Sequence, residues 1–102
     1  YKRQVQEKLG DKTLRLFRGD VFRYLERPRG EYDVVFADPP YDHPRFGEIP
    51  GLILGSSAAK PGALVIVEHS SKFDFSEMPE FTEKREYGSV NFSFFRKKTQ
   101  EQ

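Results

Sequence analysis

At 102 residues the chain is one modest domain at most, expected to span residues 1–102. Its 17 basic and 16 acidic residues leave a formal net charge of +1, so no global field selects a polyanionic partner. Without cysteine there is no disulfide framework, thiolate metal site or thiol nucleophile, and no apolar run reaches membrane-spanning length; a soluble cytoplasmic protein is the expectation.

Residues 1–9 are polar with Val5 and Leu9 at i, i+4 spacing, and Gly10 follows. That pattern predicts the C-terminal part of an amphipathic helix with a glycine stop. The helix starts in mid-stride, without a cap, as a fragment of a longer chain would. Thr13 to Arg18 (TLRLFR) alternates apolar and basic residues, the period of a half-exposed strand. Asp20 stands at the N-cap position of a short helix carrying Val21, Phe22, Tyr24 and Leu25. Pro28-Arg29-Gly30 breaks that helix.

Val34, Val35, Phe36 and Ala37 then form a short apolar run, the mark of a parallel strand buried on both faces. It stops at Asp38-Pro39-Pro40. Two prolines cannot donate to a sheet ladder, and the first biases Asp38 away from helix. The chain therefore leaves the sheet at Asp38, at the carboxyl end of the strand, where open α/β sheets bind ligands. Helix, strand, helix and strand in that order make a parallel βαβ unit.

A polar loop, DHPRFGEIP, leads to a weak helix expected over 51–59, and Lys60-Pro61-Gly62 reads as a turn. Ala63 to Glu68 (ALVIVE) is a second buried strand, ending at the same edge as Asp38. Residues 70–79 are loop. Phe81 to Tyr87 and Val90 to Arg96 read as a hairpin joined at Gly88-Ser89.

Asp20, Asp38, Tyr41 and Glu68 converge on one edge in this arrangement. A DPPY tetrapeptide closing a buried strand is a specific signal, although in a surface loop it is only a tight turn. VVFADPPY resembles the D/N-P-P-Y motif of S-adenosylmethionine-dependent methyltransferases acting on exocyclic amino nitrogens. GDVFRYLE before it, LVIVEHS after it and the hairpin REYGSVNFSFFRK together resemble the bacterial guanine-N2 methyltransferases of 16S ribosomal RNA, over the second half of such an enzyme.

The resemblance implies a truncated Rossmann-like methyltransferase sheet of α/β class. It would be mainly parallel, with a C-terminal antiparallel hairpin, and would lack the first strands of the cofactor-binding half. It implies S-adenosylmethionine as cofactor and 16S rRNA or a small-subunit particle as partner. Asp38 and the Pro39 carbonyl would accept hydrogens of the target amine, with Pro40 stiffening the bend and Tyr41 stacking on an extruded base. Asp20 would bind the adenine amino group, with Val21 and Phe22 beside it. Asp20 is equally a helix cap, and Phe22, on a helix, reads first as a core residue. Glu68 would line the substrate site. Arg45 is a phosphate contact or an exposed loop arginine. His43 and His69 lack metal-ligand spacing and read as surface or loop histidines.

The implied sheet order is 3-2-1-4-5-7-6, and no G-x-G cofactor loop occurs in this sequence. TLRLFR, in the place of strand three, would then stand apart from VVFAD, in the place of strand four. Either it moves beside VVFAD through the crossover of residues 20–27, or a second copy covers the open edge as a homodimer. Two other readings stay open: a DNA amino-methyltransferase with the same motif, and an inactive remnant that dimerises or binds RNA weakly. Phe92, Phe94 and Phe95 would serve the remnant's surface, or be ordinary core on alternate faces.

Overall fold

The computed structural model of the protein describes residues 13–18, 21–27, 30–39 and 44–99. The helix expected over 1–9, together with Asp20, Pro40, Tyr41 and His43, lies outside them. Strand β1 (Leu14–Arg18) is followed by helix α1 (Val21–Glu26) and strand β2 (Tyr32–Asp38). A 3-10 turn (Phe46–Glu48) leads into helix α2 (Ile49–Leu54). Strands β3 (Ala59–His69), β4 (Phe81–Tyr87) and β5 (Val90–Arg96) complete the chain. They form one sheet in the order β1-β2-β3-β5-β4. The first three strands are parallel and the last two antiparallel, the mixed α/β sheet that the sequence implies.

β1 pairs directly with β2, Leu14 level with Val34 and Arg18 level with Asp38. The strand has thus moved beside VVFAD, the first of the two alternatives above. Its foot is clamped there by side chains. The Thr13 amide and hydroxyl both donate to Asp33 Oδ2 at 3.0 Å, and the Asp33 amide donates to Thr13 Oγ1 at 3.0 Å.

Alternation along the strands builds two apolar layers. Val35, Ala37, Val65, Val67 and Phe95 face one side, where Phe17, Val21, Phe46, Ile49, Ile53 and Leu54 pack on them. Val34, Phe36, Ile66, Phe92 and Phe94 form the other side. The three hairpin phenylalanines are core on alternate faces, in agreement with their spacing.

Two elements differ from expectation. The helix placed at 51–59 runs instead from Ile49 to Leu54, with Pro50 in its first turn, where a missing N–H costs nothing. It stops because Ser56 Oγ donates to Ile53 O and accepts from the Ala58 amide, drawing the backbone into a turn. The turn placed at Lys60-Pro61-Gly62 lies inside β3. There Gly62 adopts φ +83°, and its amide donates to Lys97 O, so the ladder with the chain beyond β5 continues through it.

Candidate active site

β2 delivers Asp38 and Pro39 to the carboxyl edge of the parallel strands; Pro39 is buried and Asp38 half-buried. Ala37 is level with Val67. The residues that follow, Asp38 and Glu68, therefore neighbour each other, on the face of Phe36 and Ile66. Arg18 is level with Asp38, Glu68 with Phe92, and Phe92 with Arg85. One row across all five strands thus carries Arg18, Asp38, Glu68, Phe92 and Arg85. Sequence reasoning brought Asp38 and Glu68 together. It did not find Arg18, Phe92 or Arg85, because their placement depends on strand order.

The opposite face of the same edge is sealed. His69 is 0% exposed, so the expectation of a surface or loop histidine is wrong. Its Nδ1 lies 2.7 Å from the Ser70 carbonyl oxygen, which only accepts, so Nδ1 carries the proton. Nε2 then accepts from Ser93 Oγ at 2.7 Å. Burial pushes the imidazole below its ordinary pKa, outweighing the lift from the Ser70 carbonyl. Asn91, level with His69, is buried as well; with its amide oriented to suit its neighbours it donates to Glu86 Oε2 and accepts from the Ser71 amide. The alternation Ala63, Val65, Val67, His69 was a signal that could have placed this histidine in the core.

From His69 a series of rings crosses to the loop after β2. His69 meets Phe75 edge-on at 5.0 Å, Phe75 lies parallel to Phe73 at 6.0 Å, and Phe73 stacks on Phe46 at 4.8 Å. The segments that leave β2 and β3 at the site are therefore packed on each other.

Val21 is 1% exposed, its side chain sealed in the core, which leaves only its backbone to meet a ligand. Phe22 is half-buried and, with Leu25, Glu26, Arg45 and Leu52, lines a cleft of about 180 Å³ between α1 and α2. The Arg45 guanidinium lies 4.9 Å over the Phe22 ring, and its Nη2 donates to Glu48 Oε1 at 2.9 Å. The bond to Glu48 raises the pKa of Arg45, and it directs the guanidinium toward a carboxylate of its own chain. Among the described residues, no group of His, Asp or Glu could hold a metal ion.

The sequence profile described as "Conserved hypothetical protein 95" matches residues 2–96. The chain belongs to this family. No curated protein matches it. Among solved structures it is similar to yhhF of Escherichia coli, an inferred methyltransferase, at 19% identity and a TM-score of 0.62 over 97% of this chain and 55% of that one. An inferred methylase of Haemophilus influenzae is 23% identical, with a TM-score of 0.57 over 74% and 49% of the two chains. The rRNA methyltransferase aviRa of Streptomyces viridochromogenes is also 23% identical, with a TM-score of 0.50 over 66% and 30%. The family member described here shares their fold and spans about half the length of the first two. Among its described residues no helix is long and apolar enough to cross a membrane.

Proposed function

We propose that this chain is the amine-accepting half of an S-adenosylmethionine-dependent methyltransferase that modifies the exocyclic N2 of a guanine in 16S rRNA. The observation that carries the reading is the Asp38-Pro39 step at the carboxyl edge, beside Glu68, in a sheet shared with methyltransferases. A guanine N2 is a poor nucleophile because its lone pair is delocalised into the ring. The Asp38 carboxylate and Pro39 carbonyl would accept its two hydrogens, favouring a pyramidal nitrogen with its lone pair directed at the incoming methyl group. As the N–C bond forms and the bond from the methyl to the sulfonium sulfur breaks, leaving a neutral thioether, N2 would lose a proton to the carboxylate or to water. Tyr41 would stack on the base, Pro40 would hold the bend, and Glu68 would line the pocket.

The residues present do not complete a cofactor cradle. No G-x-G occurs, and β1 occupies the position beside β2 that the resemblance assigns to strand one. Asp20 and the backbone of Val21, with Phe22, would supply only the adenine end. The work of this chain in the reaction is to bind and orient the amine. A homodimer through the outer edge of β1 is a further proposal, tested by sedimentation.

The test has two arms. S-adenosylmethionine is titrated calorimetrically into the chain and its Asp20→Ala variant, and labelled methyl transfer to 16S rRNA, small-subunit particles or naked DNA is followed with Asp38→Ala. Formation of N2-methylguanosine, abolished by Asp38→Ala, supports the reading. Methylated adenine or cytosine in DNA would replace it with the DNA amino-methyltransferase. A folded chain that neither binds cofactor nor transfers methyl is an inactive remnant.

A further inference from the structure

Tyr87 is the one large hydrophobic side chain strongly exposed among the described residues, at 46% of its surface. Its position follows from topology. β5 runs antiparallel to β3 with Asn91 level with His69, so the β4–β5 turn at Gly88-Ser89 overhangs the carboxyl edge where β2 delivers Asp38. The turn is a two-residue hairpin with Gly88 at φ +65°, the left-handed conformation that such tight connections need.

Tyr87 is also on the right face. It is level with Val90, and its ring meets Phe92 edge-on at 5.8 Å. Phe92 in turn meets Phe36 edge-on at 5.8 Å, two residues before Asp38 on β2. Asp38, Glu68, Phe92 and Tyr87 therefore share one side of the sheet. From β2 to β4 is three strand spacings, roughly 14 Å. That is too far for Tyr87 to touch an amine at Asp38, and within reach of a flanking nucleotide of the same strand.

The neighbour of Tyr87 on that face is cationic. Arg85 stands two residues back, its guanidinium 6.0 Å from the centre of the Phe94 ring and its Nε 3.3 Å from Glu83 Oε1. Tyr87 and Glu83 both hold it in its charged form. An exposed ring beside a guanidinium, at the carboxyl edge of the sheet, is the composition of a single-stranded nucleic-acid platform. The ring offers a face to any base, and the cation attracts the backbone.

We infer that the tip of the β4–β5 hairpin is a docking platform for single-stranded RNA, on which Tyr87 stacks a base flanking the target nucleotide and Arg85 attracts its phosphate. The inference rests on the methyl-transfer reading for the identity of the target, and it gives the substrate strand a direction, from Asp38 across Glu68 and Phe92 to the hairpin.

The test is binding of the full chain to a fluorescently labelled single-stranded RNA oligonucleotide at low and moderate salt, with Tyr87→Ala, Tyr87→Phe and Arg85→Gln. Tyr87→Ala is expected to weaken binding by about five- to a hundredfold, the range of one lost base stack, while Tyr87→Phe keeps it. Arg85→Gln is expected to flatten the salt dependence. Unchanged melting of Tyr87→Ala by circular dichroism excludes misfolding. RNA bound equally well by wild type and Tyr87→Ala would overturn the platform, as would no RNA binding at low salt or equal loss in Tyr87→Phe. A single-stranded DNA of the same sequence bound as tightly, with the same loss in Tyr87→Ala, would overturn the choice of RNA. Cofactor titration and methyl transfer are read separately, so failure of the platform is distinguishable from failure of the methyltransferase reading.

Discussion

The two faces of the sheet reach the same carboxyl edge with opposite uses for polar side chains. On the helix-covered face His69, Asn91 and Ser93 are buried, His69 bonded to Ser93 and Asn91 to Glu86 and the Ser71 amide. On the other face, Asp38 and Glu68 remain half-open, and Tyr87 stands in solvent. Buried polar groups with full partners fix a unique packing, whereas a half-exposed carboxylate at a strand end keeps contact with solvent and can be reached by a ligand. One edge is thus divided between a side that holds the strands in register and a side that can do chemistry.

That division can be broken from the covered side, and the largest effect is expected at Phe95. It is 0% exposed and wedged edge-on against Phe75 and Phe81. Phe95→Ala should cost about 3–5 kcal/mol in denaturant unfolding, enough to unfold a marginal domain. His69→Leu comes next. It leaves the buried Ser93 hydroxyl without its acceptor and the Ser70 carbonyl with only the Phe73 amide, and a loss of about 1–3 kcal/mol is expected in the same measurement.

Acid should act on the same histidine more gently. Its folded pKa lies below the ordinary 6.5, so the unfolded chain takes the proton first. Stability is therefore full above about pH 6.5 and falls as pH drops from there through the folded value. Thermal melts at stepped pH should show this decline in the wild type, and His69→Gln should lack it. The open side sharpens the contrast. Asp38→Asn is expected to remove methyl transfer to N2 in the labelled-methyl assay while costing less in denaturant unfolding than His69→Leu, because its side chain is half-buried and the substitution keeps its shape.

Much of this was legible from residue order. The hairpin strands fall at Phe81–Tyr87 and Val90–Arg96, as predicted, because a glycine-bearing two-residue turn joins two strand-like runs there. The Asp38 exit was legible because two prolines cannot remain in a sheet. Helix α2 was misplaced because its limits depend on a serine hydroxyl turning back on the backbone, which helix propensity does not register. The end of β3 was half legible. Glu68 and His69 are adjacent in sequence, but the strand places one on the site face and the other in the core. A tally of polar residues sees two site candidates where the fold keeps one. The row Arg18, Asp38, Glu68, Phe92, Arg85 was not legible at all, since it joins residues numbered from 18 to 92 on different strands and exists only once β1 has moved beside β2.

The two-residue turn at Gly88-Ser89 also constrains how such a hairpin can change over generations. Side chains alternate with a period of two, so one residue inserted into β4 ahead of the turn would exchange its faces. Glu86 would be carried over the phenylalanines and Tyr87 turned toward Asn91, spoiling both sides of the sheet in a single step. Substitutions here alter one contact at a time. Descent with modification in this hairpin should therefore proceed by replacement of residues, or by insertion and deletion in pairs, and odd changes of length should be filtered out.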